Sequence, residues 1–371
     1  MRETRADQVG SLLRPPKIRQ AWGRFFAGQL DRDGLAEIQD QAIVEALARQ
    51  RATGIDVLTD GEFRRVAYMT GVVDAVEGFA FGQGPRLHWH ADPDRELSAD
   101  IVSFRLALVA DRLRPVRRIA RHEADFLRTH AMGPFKLTLP SPAHFISGSY
   151  RPGVSDQFYP RRSDLTGRLS AILADEARSL AGEGVAYLQV DSPTYSIWFD
   201  AEQLDEYRAW GVEPEGLMDE MIAADNAVLD AAREGGAVTA LHICRGNGAG
   251  GAWLARGSYE PVAERLFAEL RADRLLLEYD GPRSGGLEAL RLVPEPKVAV
   301  LGLVTTKRGE LEPREDLLRR LDEATRYLPL ERLALSPQCG FASGFAGNPL
   351  TQDEQWRKLE LVATVAREVW G

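Results

Sequence analysis

Two cysteines, one histidine and one glutamate in this chain are residue types that bind a soft metal ion. The chain has only two cysteines, Cys244 and Cys339, and His242 stands two positions before the first of them. An extended backbone would point both of those side chains to the same side. With Glu278 the set suits tetrahedral zinc better than magnesium or calcium. The alternatives are two ordinary buried cysteines, or a zinc ion that only braces the fold.

Eight short runs rich in valine, isoleucine and leucine predict the strands that would carry these residues. The runs cover residues 5–11, 55–62, 134–142, 185–193, 238–245, 274–280, 298–307 and 333–341. Amphipathic patterns predict helices over 35–53, 165–182, 217–233, 259–271, 314–327 and 352–369. Apolar strands that alternate with amphipathic helices indicate a parallel sheet covered by helices.

Eight such units predict an α/β protein with a closed (β/α)8 barrel, the TIM barrel, rather than an open doubly wound sheet. The GxGxxG match after a predicted strand, at residues 246–251, does not open a helix as in dinucleotide-binding folds, because the next predicted helix begins at residue 259. We interpret the chain as a single catalytic domain, residues 1–371, with an insertion at about 64–132 between the second and third strands. The candidate metal ligands, Glu62, Asp191 and Lys307 all fall at the carboxyl ends of strands, where barrel active sites are built.

The overall composition favours a soluble enzyme and excludes some classes of partner. Of 371 residues, 44% are hydrophobic and 27% are charged, and the formal net charge is −9. An acidic chain argues against a nucleic-acid surface. Charges interrupt every helix-sized apolar run, and the amino terminus lacks the apolar segment of a secretory signal. We therefore expect a cytoplasmic protein with small-molecule substrates, with no membrane contact and with homo-oligomerisation left open.

The motifs resemble those of the catalytic half of cobalamin-independent methionine synthase and of its shorter single-barrel relatives, which include epoxyalkane:coenzyme M transferases. The resemblance runs nearly end to end. It covers VGS at 9–11, DGE at 60–62, QVDSP at 189–193, HIC at 242–244, LEYD at 277–280, LGLVTTK at 301–307 and PQCG at 337–340. The order of the four ligand candidates is its most specific part, whereas the VGS and DGE matches are modest by themselves.

This resemblance implies a bound zinc ion and a pocket for an amino-acid thiol such as homocysteine. The implied zinc ligands are His242, Cys244, Glu278 and Cys339. By position, Glu62 and Asp191 would hold the ammonium group of the substrate, and residues 9–11, including the Ser11 hydroxyl, would hold its carboxylate. Coordination to zinc deprotonates a thiol that is mostly protonated at neutral pH, and so makes it a nucleophile.

Two positions, Lys307 and Ser192, depart from the family pattern. Lys307 stands where the full-length enzymes carry a histidine thought to act as an acid. It is a catalytic candidate together with Asp191, or an ordinary strand-end lysine. The DEP of the family reads DSP here, so that Ser192 replaces a carboxylate. Arg245, directly after Cys244, would grip a carboxylate or sulfonate with its planar guanidinium group, or pair with a neighbouring acid.

The sequence therefore predicts zinc-dependent methylation of a small thiol, with homocysteine as the first choice and methionine as the product, as in a 5-methyltetrahydropteroyltriglutamate–homocysteine methyltransferase. The alkyl donor would be a folate, a methyl-cobamide protein or a small methyl compound. The alternative is zinc-dependent addition of a thiol to another electrophile, such as an epoxide, with Arg245 anchoring a sulfonated thiol. Two further alternatives are a metal-free barrel similar to uroporphyrinogen decarboxylase and a non-catalytic zinc-binding barrel.

Overall fold

The computed structural model describes residues 3–84, 87–91, 105–214 and 216–371 of the chain. The strands are β1 (Val76–Gln83), β2 (Arg105–Pro115), β3 (Leu137–Pro140), β4 (Tyr187–Ser192), β5 (Val238–Ile243), β6 (Arg274–Glu278), β7 (Val298–Val304) and β8 (Leu333–Pro337). Strands β3 to β8 pair in chain order as one parallel sheet, and β1 pairs with β2 as a separate antiparallel hairpin. Almost every residue of β3 to β8 is buried, because helices cover the outer face of the sheet.

The helices confirm the six predicted ones to within three residues at either end. Their bounds are α1 (Pro16–Phe26), α2 (Arg32–Thr53), α3 (Thr70–Ala75), α4 (Arg121–His130), α5 (Pro142–Gly148), α6 (Arg162–Gly182), α7 (Ala201–Ala209), α8 (Leu217–Glu234), α9 (Glu260–Glu269), α10 (Arg314–Thr325) and α11 (Gln352–Trp370). Short 3-10 turns, Pro282–Ser284 and Glu288–Leu292, connect β6 to β7. In the described part of the chain, none of the helices combines the length and the apolar character needed to cross a lipid bilayer.

Two predicted strands, residues 5–11 and 55–62, are present as extended segments that each form one parallel bridge. The bridges are Ala6–Leu335, to β8, and Leu58–Phe135, just before β3. The amide of Asp56 donates to the carbonyl of Ala6 at 3.0 Å, which joins the two segments to each other. Regular pairing ends early because Gly61 and Glu62 have positive φ angles of 68° and 57°. Backbone hydrogen bonds nevertheless run from β8 through both segments to β3, and they complete the predicted (β/α)8 barrel.

The interior of the ring contains a small apolar core, separate from the larger core between the sheet and the helices. It consists of Val9, Val57, Tyr187, Ala240, Leu276, Val300 and Ala334. Side chains alternate along a strand, so residues two positions further on, such as Gln189 after Tyr187 and His242 after Ala240, also point into the ring. Every second side chain of each strand thus points into the ring, and those near the carboxyl ends of the strands reach the mouth of the barrel.

A buried carboxyl group outside the ring, Asp225 of α8, makes the stability of the fold depend on pH. It accepts hydrogen bonds from Ser141 Oγ at 2.5 Å and Tyr195 OH at 2.8 Å. Burial raises the pKa of Asp225 from 3.8 to about 7. Between these two pH values the folded chain keeps a proton that the unfolded chain has released, so this carboxyl group lowers the free energy of unfolding as the pH rises through that window.

We expect Asp225→Asn to remove this dependence, since the amide does not ionise. The loss of stability between pH 4 and pH 8 should then be smaller in the variant than in the wild type by up to about 4 kcal/mol. Urea unfolding at pH 4, 6 and 8 measures the difference. Parallel pH profiles for the two proteins would show that Asp225 ionises normally in the fold.

Candidate active site

Four side chains converge where β5, β6 and β8 end. His242 lies in β5, Glu278 is the last residue of β6, and Cys244 and Cys339 follow the ends of β5 and β8. All four are buried, and one ligand atom from each lies within 4.8 Å of the others. The structure therefore brings together the four residues that the sequence indicated as metal ligands. We call them the His-Cys-Glu-Cys group.

The spacing of the donor atoms in this group leaves room for a metal ion. The two Sγ atoms are 3.6 Å apart, whereas a disulfide bond would bring them to about 2.05 Å. His242 Nε2 is 3.9 Å from Glu278 Oε1. Within the described residues, neither ring nitrogen of the buried His242 has a hydrogen-bond partner. Buried polar atoms are normally satisfied, so the unpaired imidazole indicates that a ligand belongs here.

Surrounding donors hold two members of the group in place. The Glu278 carboxylate accepts hydrogen bonds from the Arg245 backbone amide at 2.8 Å, the Arg283 guanidinium group at 3.2 Å and the Gln338 side-chain amide at 3.3 Å. The Gly246 amide donates to Cys244 Sγ at 3.3 Å. Such outer contacts orient metal ligands and tune their basicity. Hydrogen bonds within the protein thus hold the Glu278 carboxylate and the Cys244 thiol in position.

The charges in the group shift proton affinities in opposite directions. The hydrogen bond from Cys244 and the nearby His242 hold the pKa of Cys339 well below that of an ordinary thiol. The same hydrogen bond, together with burial, raises the pKa of Cys244. Burial lowers the pKa of His242, but the close polar contact with Cys339 and the negative charges of Cys339, Asp191 and Glu278 outweigh burial and raise the pKa to about 9. Without a metal ion the group therefore retains protons that a cation would displace on binding.

His242 and the two cysteines of the group line a cavity that is also lined by the carboxylates of Glu62 and Asp191 and the hydroxyl of Ser11. Thr138 Oγ1 donates to Glu62 Oε1 at 2.8 Å, and Gln189 Nε2 donates to Asp191 Oδ1 at 2.7 Å. The other oxygen of Glu62 is buried, without a partner among the described residues. Burial raises the pKa of Asp191 to about 7. Two buried carboxylates with an unsatisfied oxygen form a suitable binding site for a cationic group.

The turn that carries Glu62 is built for this position. Glu62 has a φ of 57°, a region that residues other than glycine rarely occupy. Gly61 before it has a φ of 68°, and the Glu62 amide donates to Asp60 Oδ1 at 2.9 Å. Backbone strain of this kind persists only where the surrounding structure enforces it, and it clusters at functional sites. The DGE motif is thus a strained turn that directs a carboxylate into the cavity.

The structure does not bring Lys307 or Arg245 to the cavity wall. Lys307 Nζ donates to Gly246 O, Asn247 Oδ1 and Ala252 O at 3.1–3.3 Å, so it fastens the loop after β5. The Arg245 guanidinium group donates to Gly257 O at 2.6 Å and lies 4.3 Å from the centre of the Tyr259 ring. Both side chains are buried in contacts that hold loops together. Neither side chain lines the cavity, and a direct role of either residue in binding or catalysis remains a prediction.

The cavity above these residues has a volume of about 490 Å³ and mostly apolar walls. Its aromatic lining includes Phe81 of β1 and Trp89, both from the region of the predicted insertion. His144 also lines it, accepts or donates a hydrogen bond with Tyr68 OH at 3.0 Å, and has its pKa lowered by burial to about 4. Phe81, Trp89 and His144 were not predicted as cavity residues, because they lie on a hairpin, an irregular segment and a short helix that no periodic sequence pattern indicates.

A glycine between two ligand-bearing strands provides a direct test of how tightly the site is packed. A Cβ at Gly302 of β7 would lie 2.6 Å from Gln338 Cα and 3.1 Å from the carbonyl oxygen of Leu277. Both are backbone atoms next to metal-ligand candidates, so the strands would have to separate. We expect Gly302→Ala to lower the free energy of unfolding by about 1–3 kcal/mol and to weaken metal binding.

Gly167 in α6 is the matched control, because a Cβ there meets nothing within 4 Å. Gly167→Ala should leave metal binding unchanged and stabilise the helix by about 0.5–1 kcal/mol. Urea unfolding and metal content of the two variants give the comparison. Wild-type values for Gly302→Ala in both measurements would mean that the strand ends are looser than the structure shows.

Comparisons with known proteins place this geometry in a family. YxjG of Bacillus subtilis is 35% identical over 374 residues, which cover 99% of this chain and 94% of that protein. YxjH of the same organism is 36% identical over 373 residues with the same coverage, and both are described as uncharacterized. A methionine synthase of Saccharolobus solfataricus is 23% identical over 90% of this chain and 86% of its own length. No model of a protein family matches the chain.

Among solved structures, a Listeria monocytogenes protein assigned as a vitamin-B12-independent methionine synthase is 26% identical, with a TM-score of 0.74 over 99% of this chain and 98% of its own. This chain belongs to the cobalamin-independent methionine synthase family. The B12-independent methionine synthase of Shewanella sp. W3-18-1, solved in complex with selenomethionine, has the same TM-score at 22% identity and shows the same fold.

The similarity to methionine synthases supports methyl transfer as the general chemistry. The matches span almost the whole chain and almost the whole of each relative, so the family resemblance includes the barrel and every strand end that carries a candidate ligand. The His-Cys-Glu-Cys group is compatible with a metal site.

Proposed function

We propose that this chain is a zinc-dependent methyltransferase that converts homocysteine to methionine. One observation carries the proposal: three members of the buried His-Cys-Glu-Cys group, His242 and the two cysteines, line the same cavity as the carboxylates of Glu62 and Asp191. An amino-acid thiol has two ends that need these two environments. Its sulfur needs a soft cation, and its ammonium group needs negative charge.

The residues that would hold zinc are His242, Cys244, Glu278 and Cys339. A tetrahedral zinc ion with Zn–S bonds of about 2.3 Å separates its two sulfur atoms by about 3.8 Å, close to the 3.6 Å between Cys244 and Cys339. The unpartnered imidazole of His242 supports the same assignment. When bound, zinc lowers the pKa of an acceptor thiol, so that the thiolate is present at neutral pH.

The chain itself binds and orients the acceptor. Glu62 offers the buried, unpartnered oxygen to the ammonium group, and Asp191 offers a second carboxylate on the neighbouring wall. The Ser11 hydroxyl would donate to the carboxylate of the acceptor. These contacts fix the sulfur next to the His-Cys-Glu-Cys group and point it toward the apolar part of the cavity. Orientation of this kind lowers the barrier to transfer.

The apolar part of the cavity would receive the methyl donor. Aromatic and aliphatic walls exclude water from the reacting sulfur, and they accept a flat or compact apolar group equally well. A methylated folate, a methyl-cobamide protein and a small methyl compound are the donors to compare in one assay.

Addition of a sulfonated thiol to an epoxide is the alternative, and the position of Arg245 weighs against it. The sulfonate would need a cation in the cavity, but the Arg245 guanidinium group packs against Phe199 and Tyr259 instead. The charges that do line the cavity near the His-Cys-Glu-Cys group are carboxylates. The site therefore favours an ammonium-bearing thiol.

The test is zinc content of the purified protein together with thiol binding by calorimetry, before and after removal of the metal. Homocysteine, 4-mercaptobutanoate (which lacks the ammonium group) and 2-mercaptoethanesulfonate are the three ligands. One equivalent of zinc, with metal-dependent binding that is strongest for homocysteine, is the expected result.

The other outcomes each contradict a different part of the proposal. Tighter binding of 2-mercaptoethanesulfonate than of homocysteine would mean that homocysteine is not the acceptor. Zinc without any thiol binding would make the chain a non-catalytic zinc-binding barrel. Absence of zinc from protein produced in zinc-supplemented medium would overturn the mechanism and favour a metal-free barrel enzyme.

A further inference from the structure

A chain of buried polar side chains runs through the barrel interior and ends at the cavity. It begins with Asp7 and Lys136, whose side chains are 0% exposed and 2.8 Å apart. It continues through Gln189 of β4, which is also fully buried, to Asp191 two residues further on. Buried polar groups in a ring that is otherwise filled by apolar residues need a reason, because isolated ones destabilise the fold.

The position of Lys136 determines which way the Gln189 amide points. Lys136 Nζ donates to Asp7 Oδ1 at 2.8 Å and to Gln189 Oε1 at 2.6 Å. An ammonium group can only donate, so the amide oxygen of Gln189 has to face it and the amide nitrogen has to face away. Tyr187 OH donates to the other oxygen of Asp7 at 2.8 Å, and Arg274 lies 3.5 Å from it. These contacts fix Asp7, which lies at the end of the row of polar side chains that is farthest from the cavity.

Both hydrogen atoms of the Gln189 amide are then used at the cavity floor. Gln189 Nε2 donates to Asp191 Oδ1 and to Val9 O, each at 2.7 Å. Val9 begins the segment that carries Ser11, the candidate partner of the acceptor carboxylate. One amide thus ties together two elements that would bind opposite ends of the same amino acid. A reversed amide would place its oxygen against the Asp191 carboxylate and would lose both bonds.

We infer that Gln189, oriented by Lys136, is a positioning residue that sets the selectivity of this site for thiols bearing an ammonium group. The inference rests on the proposed function. Gln189 acts by holding Asp191 through one oxygen, so that the second oxygen stays directed at the acceptor. It also fixes the distance from Asp191 to the segment around Ser11. Gln189 itself contacts neither the acceptor nor the His-Cys-Glu-Cys group.

The experiment compares homocysteine with 4-mercaptobutanoate in the zinc-loaded protein. The measured quantity is the ratio of their dissociation constants, because a general loss of packing would weaken both ligands alike. Gln189→Met keeps the size of the side chain and removes both donors. We expect this variant to retain wild-type zinc content. The ratio of dissociation constants that favours homocysteine should fall about tenfold, mostly because homocysteine binds more weakly.

Gln189→Glu is the second variant, in case the first does not fold. It keeps an acceptor for Lys136 at the same place but has no N–H group to donate to Asp191, so the preference should fall by a similar factor. Asn226→Leu is the matched control. Asn226 is a buried amide that bonds the backbone of Glu269 and Arg271 and does not line the cavity, so the preference should stay at the wild-type value.

The outcomes separate this inference from the proposed function. A wild-type protein that binds the two thiols equally would remove the basis of both. A wild-type protein that prefers homocysteine, with Gln189→Glu showing the same preference, would overturn the role of Gln189 and leave the proposed function intact. A loss of preference in the Asn226→Leu control as large as that in the Gln189 variants would also overturn it, since selectivity would then follow general stability.

Discussion

Replacing Cys339 by serine is expected to remove most of the bound zinc while the barrel remains folded. The alcohol of serine is a far poorer zinc ligand than a thiolate, because it stays protonated at neutral pH and is harder than sulfur. The four ligands of a typical structural zinc site together supply about 10–16 kcal/mol of binding free energy. Loss of one of the two thiolates should therefore weaken zinc binding on the order of 100-fold or more. Methyl transfer should fall with the metal.

The barrel should survive this change because its stability does not depend on the metal ion. Chains of this size bury enough apolar surface to fold without a metal staple, and the ring core lies below the His-Cys-Glu-Cys group. Ser336→Ala in β8 is the matched control, because Ser336 is buried three residues earlier and its hydroxyl donates to Pro337 O. Metal analysis and circular dichroism of both variants measure the result. A Cys339→Ser protein with full zinc content would show that this ligand is wrongly assigned.

Replacing Glu62 by glutamine is expected to weaken homocysteine binding roughly 30-fold, equivalent to about 2 kcal/mol for a lost charge-assisted contact. The variant keeps the acceptor that Thr138 Oγ1 bonds, so the strained turn should stay in place. Affinity for 4-mercaptobutanoate should change little, because that ligand has no ammonium group. Zinc content should stay at the wild-type level, since Glu62 is not in the His-Cys-Glu-Cys group.

A second buried glutamate provides the control for this experiment. Glu176 of α6 pairs with Arg118 at 2.5 Å, accepts from the Ala120 amide at 2.9 Å and lies outside the cavity lining. Glu176→Gln should therefore leave both thiol affinities unchanged. Calorimetric titration of the two variants with both thiols gives the comparison. Equal weakening of homocysteine and 4-mercaptobutanoate by Glu62→Gln would mean that Glu62 supports the pocket rather than the ammonium group.

The metal-ligand candidates were predictable because both their spacing within one strand and their positions at strand ends can be read from the sequence. His242 and Cys244 share a side of one strand by alternation, and the strand ends of a parallel barrel meet at one mouth. The six helices were predictable from their amphipathic period, and α2 and α11 also begin at residues whose side chains cap the helix, Asp31 and Thr351. For these elements local preference and the final fold agree.

The contacts of Lys307 and Arg245 were not predictable, because they depend on where long side chains turn after the strand ends. Lys307 and Arg245 stand at positions that suit a catalytic or binding role, yet each reaches sideways to backbone carbonyls of neighbouring loops. Gln189 illustrates the opposite case. Alternation with Asp191 already placed it inside the ring, and only its partners Lys136 and Val9, brought from other strands, reveal what it does.

The distribution of the His-Cys-Glu-Cys group over three strands also fixes an order of events during folding. An unfolded chain keeps only His242 and Cys244 near each other, and Glu278 and Cys339 join them when β6 and β8 have paired into the sheet. The complete four-residue site would therefore form only when the sheet has assembled, and a metal ion that uses all four ligands would enter a formed barrel. On the proposed function, metal uptake would then depend on access through the mouth of the barrel.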